Sequence, residues 1–223
     1  MIPRDLLGIA EVPGGPLLRL VRHDGDFIIE IERNELMSSR MSGSEIALGR
    51  MTFERLGGIK EPHFLIGGYG MGFTLRAVLA AMGHDGRATV VELVPEIIEW
   101  ARGPMAALAA GCLDDPRVEL IIGDVGRAIG NAKCGYDAIL LDVDNGPDGL
   151  TRKGNDILYK RSGLIGAREA LRPGGILAVW SAAPDEAFGR RLEKAGFDVD
   201  ERRVPARENG KGPKHTIWFA TAP

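Results

Sequence analysis

Three glycines and three acids carry the chemistry legible in this chain. In Phe64-Leu-Ile-Gly-Gly-Tyr-Gly-Met-Gly-Phe-Thr-Leu-Arg76 an apolar run passes into a glycine-rich turn. Gly68, Gly70 and Gly72 permit backbone conformations closed to other residues and let a ligand approach with no Cβ in the way. A second apolar run, Ala88-Thr-Val-Val-Glu92, ends in an acid roughly 20 residues past the turn, where a strand-end carboxylate can hold a ribose diol. Pro95 close behind also allows Glu92 to be an acid at a helix start. The spacing is Gly-x-Gly-x-Gly, and Phe73 fills the place where a dinucleotide-binding turn needs its third glycine. The pattern predicts an adenosyl ligand without a pyrophosphate, S-adenosylmethionine or a relative, and argues against a nicotinamide cofactor.

The other two acids also follow apolar runs. Asp124 comes after Glu119-Leu-Ile-Ile-Gly123 and before a helix, so it can cap that helix, accept a hydrogen bond from an adenine amino group, or do both. Asp142 follows Leu140-Leu141 and is the strongest catalytic candidate, a carboxylate emerging from a buried strand into a cleft. Asp144, Asn145 and Asp148 lie in the segment after it, Val143–Gly154, which is either a solvated acidic loop or a cover for a cationic substrate such as an amine.

The elements that must position these groups alternate. Strands are expected at His63–Ile66, Ala88–Glu92, Val118–Ile122, Tyr136–Asp142 and Ile176–Ser181, with helices near Thr74–Met82, Glu96–Ala110, Val125–Asn131 and Ile157–Leu171 between them. Such alternation implies right-handed crossovers and a parallel sheet, with ligands at the carboxyl ends of its strands. A helix at Asp185–Ala195 precedes a predicted antiparallel hairpin, Phe197–Val204 with His215–Ala222. Upstream, Asp24-Gly25 between two apolar runs predicts a short N-terminal hairpin. Ser42-Gly-Ser-Glu45 matches a capping box for the following helix. Residues 1–40 are therefore read as a β-hairpin extension and 41–223 as the nucleoside-binding catalytic domain.

On these residues the chain resembles the spermidine synthase (polyamine aminopropyltransferase) family. Gly68-Tyr-Gly-Met-Gly-Phe-Thr-Leu-Arg76 is similar to that family's Gly-Gly-Gly-Asp-Gly-Gly-Thr-Leu-Arg, and Val91-Glu-Leu-Val-Pro-Glu-Ile-Ile98 to its Glu-x-Asp-Pro-x-Val-Ile segment. Asp115-Pro-Arg-Val-Glu119, Gly123-Asp124 and Tyr136-Asp-Ala-Ile-Leu-Leu-Asp142 match as well. The resemblance implies an α/β, Rossmann-like class I methyltransferase fold: a mostly parallel seven-stranded sheet with a C-terminal antiparallel hairpin and a short N-terminal β-hairpin. It implies that Glu92 holds the ribose, with Leu93 beside it, and that Asp124 holds the adenine, with Val125 beside it. Asp142 would then take a proton from an attacking amine, with Asn145 in the place of the family's second acid on the substrate side unless Asp144 substitutes for it. Apart from the resemblance, Tyr159 opens a helix beyond the acidic segment, where it can face the acceptor. The co-substrate would be S-adenosylmethionine or its decarboxylated form, and the partner a small-molecule amine. The chain departs from the family motif at Met71, where an acid is expected, at Tyr69, at Asn145, and at Gly43-Ser-Glu45, where the family has Tyr-His-Glu. A small-molecule methyltransferase and a non-catalytic nucleoside-binding homologue are the competing readings.

Composition narrows the classes further. A net charge of −3 over 223 residues supplies no basic field for nucleic acid. The four histidines are scattered and Cys112 and Cys134 lack ligand spacing, so no metal is expected. No apolar stretch is long enough to span a bilayer, and the expected protein is cytoplasmic, with homodimerisation also considered.

Overall fold

The computed structural model describes residues 4–32, 34–143 and 156–223. Its larger sheet carries the parallel strands β5 (His63–Gly67), β6 (Arg87–Glu92), β7 (Val118–Ile122), β8 (Tyr136–Leu141) and β9 (Leu171–Ser181). The antiparallel pair β10 (Asp198–Pro205) and β11 (Lys214–Thr221) completes it, in the order β10-β11-β9-β8-β5-β6-β7. After β5 the chain moves outward to β6 and β7, then returns to place β8 on the other side of β5. The crevice between the carboxyl ends of β5 and β8 is therefore the topological switch point, where open α/β sheets bind ligands.

Alternation along the strands sorts side chains to two faces. Phe64, Ile66, Ala138 and Leu140 join one core with α1 (Gly43–Arg55), α2 (Phe73–Ala81) and α3 (Pro95–Arg102). Leu65, Ile139 and Leu141 join the other, with α5 (Val125–Asn131), α7 (Arg161–Ala170) and α8 (Glu186–Lys194).

Several local expectations change. The N-terminal hairpin is a four-stranded antiparallel meander, β1 (Asp5–Glu11), β2 (Leu17–His23), β3 (Asp26–Ile31) and β4 (Asn34–Ser38). The helix expected over 96–110 breaks into α3 and α4 (Ala106–Ala109), because Pro104 has no N–H to continue the ladder beyond Gly103. The one expected over 157–171 divides into α6 (Asp156–Tyr159) and α7, with Lys160 extended between them. The capping box does not form. Ser42 Oγ donates to Glu208 Oε1 at 2.9 Å, and the Gly43 N–H is taken by the Ala206 carbonyl at 2.9 Å. The start of α1 is thus satisfied by the β10–β11 connection, and Glu45 is released for another environment.

Candidate active site

The turn after β5 is shaped by backbone that only glycine adopts readily. Gly68 and Gly70 have φ of +84° and +56°. A Cβ on Gly68 would lie 2.5 Å from the Asp142 carbonyl oxygen, so the switch-point crevice closes only around a glycine. Gly72 begins α2 above the Tyr69 ring and is not among the cleft-lining residues, whereas Gly68 and Gly70 are. Tyr69 and Met71, the bulky departures in the turn, are 3% and 1% exposed and point into the core, leaving the cleft open. Tyr69 Oη meets Cys112 Sγ at 3.5 Å there.

Glu92, at the end of β6, folds back beneath this turn. Its Oε2 accepts the Tyr69 N–H at 2.8 Å and its Oε1 the Val94 N–H at 2.9 Å. Burial raises its pKa, and the backbone N–H groups of Val94, Tyr69, Gly70 and Leu93 work in the opposite direction. Each carboxylate oxygen has more than one lone pair, so the same group can hold the turn and still accept from hydroxyls in the cleft it lines. Asp124 caps α5, its Oδ1 accepting the Gly126 N–H at 2.8 Å, and also lines the cleft with Leu93 and Val125. Capping α5 and lining the cleft therefore coexist at Asp124.

Asp142 stands at the end of β8, its N–H bonded to the Gly67 carbonyl at 3.0 Å. The Thr74 hydroxyl, from the glycine motif, donates to Asp142 Oδ2 at 2.7 Å. Burial pushes the Asp142 carboxyl up to about 6, with the Thr74 bond opposing the rise. Asp144 and Asn145 lie outside the described residues. Tyr159 is not brought to the cleft lining: its ring packs edge-on against Phe188, and its hydroxyl donates to the Val143 carbonyl at 3.4 Å. It braces the strand end from the far core, where a buried aromatic between two helices finds its apolar contacts.

Three cleft residues with titratable or aromatic side chains escaped the sequence reading. Glu45 is 5% exposed, and burial together with the Asp142 charge pushes its carboxyl up to about 8. Trp180 is buried but also lines the cleft, edge-on to His215 with ring centroids 4.7 Å apart. His215 was legible only as a strand residue. Only Glu45 carried a signal, through its place at the third position of the Tyr-His-Glu segment. The cleft holds about 150 Å³ of free volume, roofed by Leu18, Ile29, Leu36 and Met37 of the N-terminal sheet. Its described lining includes the carboxylates Glu45, Glu92, Asp124 and Asp142 and no lysine or arginine.

Among known proteins, the spermine/spermidine synthase domain matches residues 57–186. A polyamine aminopropyltransferase of Mycobacterium tuberculosis is 33% identical over 151 residues, covering 63% of this chain and 28% of that protein. Polyamine aminopropyltransferase 2 of Pseudomonas aeruginosa is 36% identical over 153 residues, covering 63% of this chain and 41% of that protein. The chain thus spans well under half the length of these curated relatives. A spermidine synthase solved in complex with the transition state analogue AdoDATO superimposes with a TM-score of 0.76 over 98% of this chain and 72% of that one. At 19% identity that likeness shows the fold, a parallel sheet with a small antiparallel N-terminal sheet. With more than half its length inside the domain match, and with the motif acids gathered at the switch point, this chain belongs to the spermine/spermidine synthase domain family.

Proposed function

We propose that the protein is an aminopropyltransferase that takes decarboxylated S-adenosylmethionine as donor and a small amine as acceptor. The observation that carries this reading is the charge of the cleft: four carboxylates and, among its described lining residues, no lysine or arginine. A sulfonium donor with a free ammonium is favoured in such a field. The α-carboxylate of S-adenosylmethionine would enter a site lined by carboxylates with, among the described lining residues, no lysine or arginine to pair with it, which is costly in a buried site. The cradle fits an adenosyl group, because the glycines keep side chains out of the turn and Glu92 and Asp124 present acceptors toward the cleft.

In this reading Glu92 holds the ribose, Asp124 the adenine edge, and Asp142 the acceptor nitrogen. An amine arrives protonated and cannot attack until it loses a proton. Asp142 takes that proton; the C–N bond then forms as the C–S bond breaks, its electron pair staying on sulfur. A positioned base of this kind contributes about 10²–10⁴ in rate. Thr74 keeps the Asp142 carboxyl aimed during the exchange.

Calorimetry with decarboxylated S-adenosylmethionine, S-adenosylmethionine and 5′-methylthioadenosine tests the donor assignment. The decarboxylated form is expected to bind at least about tenfold tighter than S-adenosylmethionine, a difference of about 1.4 kcal/mol. Tighter binding of S-adenosylmethionine would move the protein to the methyltransferases.

A further inference from the structure

Beside Asp142 lies a buried chain of polar groups that connects two distant parts of the fold. Ser44 Oγ, at the start of α1, is 2.5 Å from Glu45 Oε2 and 2.8 Å from Nδ1 of His215 on β11. Ser44 is 0% exposed, Glu45 5% and His215 8%, so the groups must satisfy one another. A hydroxyl has one hydrogen, and this fixes the chain's direction as a unit. When Glu45 is ionised, Ser44 donates to it and the His215 Nδ1–H donates to Ser44. When Glu45 carries a proton, it donates to Ser44, Ser44 donates to a bare Nδ1, and the imidazole keeps its hydrogen on Nε2. The charge of Glu45 is thereby tied to the tautomer of a ring on β11, 171 residues from Ser44 in sequence.

The groups facing this chain come from several elements. Asp142 from β8 and Glu45 line the same cleft, with Thr74 of α2 bonded to Asp142 and Trp180 of β9 edge-on to His215. Glu92 and Asp124 line the cleft as well, and Glu208 sits behind Ser42. Two carboxylates sharing a buried site do not readily ionise together, so a proton held by the pair has two homes.

We propose that Glu45 is a second acid–base group of the reaction, taking from Asp142 the proton lost by the amine, while Ser44 and His215 act as positioning residues that reorient to hold it there. This rests on the aminopropyltransfer reading. Its balance is simple. The ammonium loses one proton to Asp142, the nitrogen lone pair makes the C–N bond, and sulfur keeps the electrons of the C–S bond. At neutral pH the resting pair holds one proton, on Glu45; once Asp142 has the amine's proton, Glu45 releases its own to water and then takes the one on Asp142, which restores the resting pair. His215 exchanges a proton at Nδ1 for one at Nε2, so its own count does not change.

The test begins without substrate. Protein labelled with ¹⁵N-histidine is titrated from about pH 6 to about 9, and the two ring nitrogens of His215 are followed by long-range ¹H–¹⁵N correlation. His215 is expected to pass from the Nε2–H to the Nδ1–H tautomer as Glu45 ionises. Asp142→Asn moves the change to lower pH, Glu45→Gln holds one tautomer throughout, and Ser44→Ala uncouples the ring from the carboxyl. A wild-type tautomer that ignores pH, or a switch that survives in Glu45→Gln, would overturn the relay. In turnover, Glu45→Gln is expected to lower kcat by about tenfold or more with the KM for the amine changed less than about twofold. A raised KM with kcat intact would make Glu45 a holder of the ammonium instead. The tautomer measurement needs neither donor nor amine, so its failure counts against the relay alone. An intact switch with no turnover on any amine counts against the aminopropyltransfer reading alone.

Discussion

Replacing Glu92 by alanine separates ligand binding from loop support, because one carboxylate is positioned for both. In the protein, its two oxygens accept the N–H groups of Tyr69 and Val94 at 2.8 and 2.9 Å. Alanine leaves both buried donors without that partner, at about 1–3 kcal/mol each. For a chain of this size each kcal/mol lowers Tm by roughly 2–4 °C, so a visible drop is expected even without ligand. Binding loses a second contribution. Hydrogen bonds from ribose hydroxyls to a carboxylate are worth about 1.5–3 kcal/mol each, and water replacing them returns part of that. A net loss of at least about tenfold in affinity for decarboxylated S-adenosylmethionine and for 5′-methylthioadenosine remains. The assay pairs thermal melts with calorimetry on the same preparation below its Tm. A variant that melts lower but binds both ligands with wild-type affinity would refute the ribose contact and leave Glu92 as a support for the turn.

Four further outcomes follow from the same geometry. Asp142→Asn keeps the shape and the Thr74 hydrogen bond but loses basicity, so turnover falls by about two orders of magnitude while donor affinity changes far less. The wild-type rate is expected to fall as pH drops through about 6, where the raised Asp142 carboxyl takes up its proton, and a pH–rate profile checks both points. Gly68→Ala forces a Cβ to 2.5 Å from the Asp142 carbonyl oxygen at a φ of +84°, and calorimetry and melting are expected to show weakened donor binding together with a stability loss above about 1 kcal/mol. Glu45 has a folded pKa above its unfolded one, so its contribution to stability is complete below the unfolded value, near 4.5, and is lost as pH rises through about 8. Denaturant melts at about pH 6 and 9 are expected to show that loss in the wild type and a flatter response in Glu45→Gln, by about 1–3 kcal/mol.

The parallel sheet was legible because each of its strands carries a short apolar run, and the cleft end was legible because acids stand at or just after the ends of three of them. Glu92, Asp124 and Asp142 all line the cleft. The N-terminal sheet was half hidden. Asp5-Leu-Leu-Gly-Ile-Ala-Glu11 lies at a sheet edge with Leu6 and Ile9 exposed, so it lacks clean alternation, and β4 is only five residues. The break at Gly103-Pro104 was in plain sight and was overridden by the apolar periodicity around it. Glu45 was misread for a different reason. An acid three residues after a serine satisfies a local rule, and what defeats that rule is packing against Ala206, Glu208 and His215, far away in sequence. Trp180 likewise carries a core residue's signature because it is buried; that one side of it borders the cleft depends on where β11 and α1 come to rest.

Turnover with decarboxylated S-adenosylmethionine and a panel of mono- and diamines, followed as release of 5′-methylthioadenosine, tests the central claim most directly. The account predicts release that requires both donor and amine and that Asp142→Asn suppresses. Formation of S-adenosylhomocysteine from S-adenosylmethionine, with no 5′-methylthioadenosine from the decarboxylated donor on any amine, would contradict it.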